Sequence, residues 1–192
     1  MTVFFDIDTQ IDFMFPAGAL YVPGAEQILP AIAKLNHFAE THAIPLISTA
    51  DAHPEDDPEF LNWPAHCVVG TIGQKKPQST RLANRAVIPN KLVKSLPTAP
   101  QTILQKVVLN AFSNPNLPTL LDTLAADRYV VYGVVTEICV RHAAWGLLER
   151  GGARVEIVTD AVRSLNQPEA DAMLAEFTAA GGHLTTTAEV CG

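Results

Sequence analysis

The feature that most constrains the fold is a rhythm. Short, nearly continuous apolar runs alternate with longer segments in which apolar residues recur every three or four positions. The runs "TVFFDID", "AIPLISTA", "TILQKVV", "RYVVYGVV", "ARVEIVTDA" and "HLTTT" read as six strands. The segments "AEQILPAIAKLNHFAETH", "NLPTLLDTLAAD", "EICVRHAAWGLLERGG" and "QPEADAMLAEFTAAGG" read as helices. Pro30 marks a start or kink in the first of these, Pro168 suits the first turn of the last, and paired glycines stop two of them. Strands that are apolar along their whole length belong to a sheet buried on both faces, and the strand–helix alternation makes that sheet parallel. The expectation is a three-layer α/β/α single domain over residues 1–192, with a six-stranded, mainly parallel sheet. Residues 51–96 form an exception: polar, rich in Pro, Gly and Asn, without periodicity. A long irregular segment inside a compact domain is usually functional.

Composition narrows the class of function. Hydrophobic residues make up 48% and charged residues 17% of the chain, enough apolar content for a full core. The net charge is −7 and no basic stripe interrupts it, which argues against a nucleic-acid partner. No apolar run approaches the roughly 20 residues that span a bilayer. The N-terminus reaches Asp6 with no basic region before it, unlike a secretory leader. Three widely spaced cysteines make a poor disulfide framework and point to a reduced, cytoplasmic protein. Dinucleotide-binding, P-loop and serine-elbow motifs are absent. "FFDIDTQ" resembles the aspartyl nucleophile of haloacid-dehalogenase phosphatases, but Gln10 breaks the pattern and no paired-acid strand follows.

In parallel α/β sheets, sites lie beyond the carboxyl ends of the strands. The chemically capable residues fall there. Asp8 ends the first strand, Asp51 and His53 follow the second, Lys106 lies in the third, and Cys139 follows the fourth. A thiol in the first turn of a helix meets unpaired N–H groups and a positive dipole end, which favour the attacking thiolate and can hold an oxyanion. The plain alternative is a small buried hydrophobe. Cys67, in the irregular segment, and Cys191, at the chain end, lack that placement. Asp8 can accept the thiol proton or simply cap a turn. Lys106 interrupts an apolar run, so it lies at an edge or is buried and paired. Taken together they describe a Cys-Asp-Lys triad on adjacent strand ends. "DAHPEDDPEFLNWPAHC" adds Asp51, His53, Glu59 and His66, a donor set suited to Zn, Mn or Fe(II), or else an ordinary solvated loop. Trp63 beside it offers a face for a flat ring or is a stray core residue.

At this point the order of motifs resembles a known family. "DTQIDF", "FPAGALYVPGAEQILP", "DAHPEDDPEF" with "WPAHCVVGTIG", "KVVLNAF" and "GVVTEICV" are similar, in order, to segments of the isochorismatase-like cysteine hydrolases, and the metal loop to their nicotinamidase branch. The resemblance implies Cys139 as nucleophile, Asp8 as base and Lys106 as the cation holding them. It implies an oxyanion hole from the N–H groups of Val135 and Cys139, with a cis peptide between Val134 and Val135. It implies one divalent metal on Asp51, His53 and His66, with Glu59 where a third histidine is often found and Glu55, Asp56 and Asp57 nearby. Phe13 and Trp63 would hold the substrate ring. Ile11 and Asn110 depart from the family's usual Asn and Ser or Thr, which bears on substrate preference. The implied activity is hydrolysis of nicotinamide. Alternatives are a related amidase acting on ureidoacrylate, N-carbamoyl compounds or another small amide, and a non-catalytic binding protein. Trp145 and its apolar helix serve either the core or a homo-oligomer interface.

Overall fold

The computed structural model describes residues 1–192. Seven strands form one sheet. They are β1 (Thr2–Ile7), β2 (Leu46–Asp51), β3 (Arg85–Ile88), β4 (Gln101–Lys106), β5 (Arg128–Val134), β6 (Arg154–Arg163) and β7 (His183–Thr185). Their order is β3-β4-β2-β1-β5-β6-β7, and every neighbouring pair is parallel. The expected count of six is therefore corrected to seven. The added strand, β3, lies inside the segment read as irregular. It is four residues long, sits at the sheet edge and leaves Arg85 and Val87 exposed, so it carries none of the apolar run that marks a buried strand.

The helices are α1 (Ile11–Met14), α2 (Leu29–Thr41), α3 (Leu117–Leu124), α4 (Arg141–Arg150), α5 (Gln167–Ala179) and α6 (Thr187–Cys191). Pro30, Pro118 and Pro168 each stand in the first turn of their helix, where a missing N–H costs nothing. Asn166 caps α5, and a Thr186–Glu189 capping box starts the short α6, which has too few residues to show a helical period in the sequence. No helix is long and apolar enough to cross a membrane.

The two-residue period of the strands divides the core. Val3, Phe5 and Ile7 of β1 face one side, where they pack with Leu120, Ala143, Leu147 and Phe177 of α3, α4 and α5. Phe4 faces the other, with Ile32, Leu35 and Ala39 of α2 and Val190 of α6. Burying each large side chain contributes about 1.5–3 kcal/mol, so both helical layers are held to the sheet. Asp6 is the polar exception in β1. It is fully buried and accepts from Thr9, Ser48 and Lys76.

The chain leaves β1 toward β2 on one side, and β5 takes the other. The switch point is thus the β1/β5 junction, where Ile7 is the register partner of Gly133. Its φ is +117°, and a Cβ on it would stand 2.1 Å from the carbonyl oxygen of Ile7. Only glycine fits. We expect Gly133→Ala to destabilise the fold by about 1–3 kcal/mol, read as a lowered midpoint in urea denaturation. An unchanged midpoint would contradict this packing.

Candidate active site

Four neighbouring strands, β4, β2, β1 and β5, deliver the functional side chains. Asp51 and Lys106 are the last residues of β2 and β4 and are register partners. Asp8 lies one residue past β1, with φ +46°, in a left-handed conformation that Asp tolerates better than most residues. Val134 ends β5, and the Val134–Val135 peptide is cis. Thr136–Val140 then form one wide π-helical turn ahead of α4, and Cys139 sits in it. Cys139 therefore sits in the opening turn of a helical run that continues into α4. β4 stops at Lys106, and Val108, two residues on, is exposed.

Lys106 is 1% exposed, and its ammonium contacts three groups. It is 2.5 Å from Asp51 Oδ1, 2.9 Å from Asp8 Oδ2 and 3.8 Å from Cys139 Sγ. Asp8 is held on its other side by Thr49, whose hydroxyl donates to Oδ1 at 2.6 Å and accepts from the Asp8 N–H at 3.1 Å. The three residues anticipated as a triad are brought together, and a fourth, Asp51, joins them.

Burial dominates the electrostatics. It raises the Asp8 carboxyl above the ordinary range; Lys106 opposes the rise and Asp51 adds to it. For Asp51 burial also acts upward, but Lys106 and the His53 imidazole prevail and hold it below that range. Burial alone would depress Lys106; the Asp51 and Asp8 carboxylates and the Cys139 sulfur reverse this and leave it well above its usual value. The Cys139 thiol is pushed well up by burial, with Lys106 opposing and Asp8 and Asp51 adding to the rise. Burial and two nearby carboxylates act against the thiolate, while one ammonium and the turn's N–H groups favour it. Cys67 is fully buried with its thiol likewise raised, and it does not line the pocket.

Asp51, His53 and His66 point donor atoms toward a common centre, all within 4.8 Å of one another. Both His53 Nε2 and His66 Nε2 lie 3.9 Å from Asp51 Oδ2, and Glu59 Oε1 lies 3.9 Å from His66 Nε2. Each imidazole is fixed from behind. His53 Nδ1 pairs with Asp57 at 3.0 Å, and His66 Nδ1 with the Pro64 carbonyl at 2.7 Å. His53 Nε2 is buried and has no hydrogen-bond partner. Two imidazoles turned so that their free nitrogens meet a carboxylate fit a divalent metal, and the orphaned nitrogen is what such an ion satisfies. Burial raises the Glu59 carboxyl, against the pull of His53. Glu55 and Asp56 are exposed; Asp57 stands behind His53 instead of in the donor set.

A pocket leads to these groups and encloses about 360 Å³, mouth included. Asp8, Asp51, Glu59, His66 and Cys139 line it, with Phe13, Trp63, Val134 and Val135 as apolar walls. Ile138, Leu109, Leu20 and Leu165 complete it, none of them singled out by residue pattern. Ile11 and Asn110 do not line it; Asn110 caps the turn Ala111–Ser113. Gln10 is a further residue whose part was not foreseen, although it stands in the quoted "DTQIDF". Its amide clasps Asp51 on both backbone groups, at 2.7 and 2.9 Å, and donates to the Gln74 carbonyl at 2.7 Å. Asp12 likewise accepts from the Cys67 N–H at 2.7 Å and so ties the segment before His66's neighbour to α1.

Residues 2–189 match the Isochorismatase domain, and the chain belongs to the isochorismatase family. A nicotinamidase of Acinetobacter baylyi is 23% identical over 182 residues, which cover 83% of this chain and 80% of that protein. Pyrazinamidase of Pyrococcus horikoshii, solved in complex with zinc, superposes with a TM-score of 0.81 at 26% identity, covering 96% of this chain and 98% of that one. PnC1 of L. infantum, solved in complex with nicotinate, gives a TM-score of 0.82 at 24% identity, covering 98% and 93%.

Because Asp57 sets which His53 nitrogen is free, Asp57→Asn should weaken zinc binding about 10–100-fold while the fold persists. Titration against a competing chelator measures this. An affinity equal to wild type would show that the Asp57 contact does not orient the ligand.

Proposed function

We propose that this chain hydrolyses nicotinamide to nicotinate and ammonia through a thioester on Cys139. The observation that carries the proposal is Lys106 Nζ, buried between Asp8 at 2.9 Å and Cys139 Sγ at 3.8 Å, beside a ready divalent-metal donor set. The nicotinamidase relative and the nicotinate-bound neighbour support the choice of substrate.

The pocket suits a flat heteroaromatic amide. Phe13 and Trp63 are aromatic walls against which a pyridine ring would pack, and Asp8 and Cys139 line the same pocket. Asp51, His53 and His66, with Glu59 as fourth protein donor, would hold the metal; Zn, Fe(II) and Mn suit such donors, and zinc in the Pyrococcus neighbour favours zinc. When bound, the ion supplies a Lewis-acidic anchor for a ring nitrogen lone pair. The carboxamide is then presented to the sulfur.

A thiol attacks as its thiolate, so the Sγ proton needs an acceptor. Asp8, with its carboxyl raised, takes the Sγ proton as the sulfur adds to the carbonyl carbon. The oxyanion is received by the Val135 and Cys139 N–H groups. Asp8 returns the proton to the amide nitrogen, the C–N bond breaks and ammonia leaves. Water then gives a proton to Asp8 and its hydroxyl to the thioester carbon. Collapse of that adduct expels the sulfur, which recovers its proton from Asp8. Lys106 remains charged throughout and offsets the negative charge whether it lies on Asp8 or on the sulfur.

Cys139→Ala should lower ammonia release from nicotinamide at least ~10³-fold, a barrier increase of about 4 kcal/mol, and equal rates would end the proposal. Stripping the metal should abolish most activity toward nicotinamide and pyrazinamide, with zinc restoring it; N-carbamoyl acids turned over in preference to both would transfer the chain to the rival amidase class. The pH profile has a definite sign. Asp8 must be ionised to act as base, so kcat/KM should fall as pH drops through its raised pKa, with an acid limb above the usual aspartate value of about 4. A flat profile down to pH 4 would contradict the assignment of Asp8.

A further inference from the structure

A second recess lies on the α2 side of the sheet, against β4, β2 and β3, and encloses about 590 Å³, mouth included. Lys75, Lys76, Arg81 and Arg85 line it, with the amides of Gln74 and Gln105 and no acidic residue. None of these residues lines the pocket described above. Four of the chain's 13 lysines and arginines therefore meet in one hollow of a protein whose net charge is −7.

Their charges are mostly uncompensated. Lys76 is buried and pairs with Asp6 at 3.3 Å, while Lys75, Arg81 and Arg85 take part in no salt bridge. Arg85 donates only to backbone carbonyls, those of Leu82 and Ala83. Arg81 makes no side-chain hydrogen bond, and its Nε is buried without an acceptor. A buried donor left unpaired costs about 1–3 kcal/mol, and three like charges around one hollow add mutual repulsion. Both costs vanish when an oxyanion enters, because guanidinium forks and an ammonium present several N–H donors to it at once.

We propose that this recess binds a phosphate group, either as free inorganic phosphate or as the phosphoryl group of a small phosphomonoester. The site is wired to the catalytic end of the sheet. The Lys75 carbonyl accepts from the Ile11 N–H at 2.9 Å, and the Gln74 carbonyl accepts from Gln10, whose amide clasps Asp51. An anion gripping Lys75 and Arg81 steadies the loop that backs Asp51.

The test is isothermal titration of the intact protein with inorganic phosphate and with AMP, at constant ionic strength set by chloride. Saturable binding near one-to-one is expected, together with a raised melting temperature. In an Arg81→Gln, Lys75→Gln double variant the affinity should drop at least about ten-fold while far-ultraviolet circular dichroism is unchanged. Should the double variant fail to fold, Lys75→Gln alone serves, since that side chain is exposed and unbonded, and a drop of about three-fold or more is expected. Tighter binding of AMP assigns the phosphomonoester source and tighter binding of phosphate the free ion; both support the site. No saturable binding by wild type, or affinity unchanged in the variants, overturns it.

Discussion

A single buried ammonium organises the catalytic end of this molecule. Lys106 joins two carboxylates on two other strand ends and approaches the sulfur carried by a third. Ionised groups removed from water persist only when opposite charge and hydrogen bonds surround them, and removing one partner of such a set typically costs about 3–5 kcal/mol. Asp8 and Asp51 would repel one another without the lysine, and the lysine would lose its charge without them. The mutual dependence fixes the spacing of β4, β2 and β1 at their tips, where there is no further ladder to hold them. Asp51 has two parts to play. One oxygen meets Lys106 and the other faces His53 and His66, so the proposed reacting groups and the candidate metal donors share one side chain.

Around that set stands a layer of neutral or structural contacts. Thr49 fixes Asp8, Gln10 fixes Asp51, Asp57 and the Pro64 carbonyl fix the imidazoles, and Gly133 lets β5 approach β1 closely enough to bring the sulfur over. Each acts by restricting orientation, which is how a scaffold holds reacting groups near the geometry the reaction needs. The buried polar atoms left without hydrogen bonds are informative against this background. In a fold that satisfies nearly all such atoms, Asp8 Oδ2 faces only the ion contact with Lys106, and His53 Nε2 faces the metal centre. Arg81, whose Nε is likewise buried without an acceptor, lines the basic recess, while Asn90 Oδ1 and Glu137 Oε2 are unmet away from both pockets.

Much of this was legible from residue order. Continuous apolar strands specify a sheet covered on both faces, and that alone places Asp8, Asp51, Lys106 and Cys139 at one end of it. Edge strand β3 escaped notice because "RAVI" alternates with exposed residues and lies within a polar stretch; α6 escaped because five residues hold too little periodicity. The link between Asp51 and Lys106 was not legible, since it depends on strand order. Sequence places β4 third among the expected strands, whereas in space it lies beyond β2 and so puts Asp51 between Lys106 and Asp8. The surroundings of Cys139 were hidden for a similar reason. A helix-start position favours the thiolate, and only the fold shows the burial and the two carboxylates that act against it. The apolar wall residues Leu20, Leu109 and Leu165 come from loops and carry no pattern at all.

The spread of these groups along the polypeptide has a consequence for how the protein comes into being. Synthesis on the ribosome delivers positions 8 and 51 first, then 106, and 139 last. Both carboxylates thus exist before the ammonium they flank, so the lysine never has to leave water without a counter-ion already made. The sulfur emerges after all three charged groups that surround it, and a chain cut short between residues 106 and 139 has those charges but not the thiol.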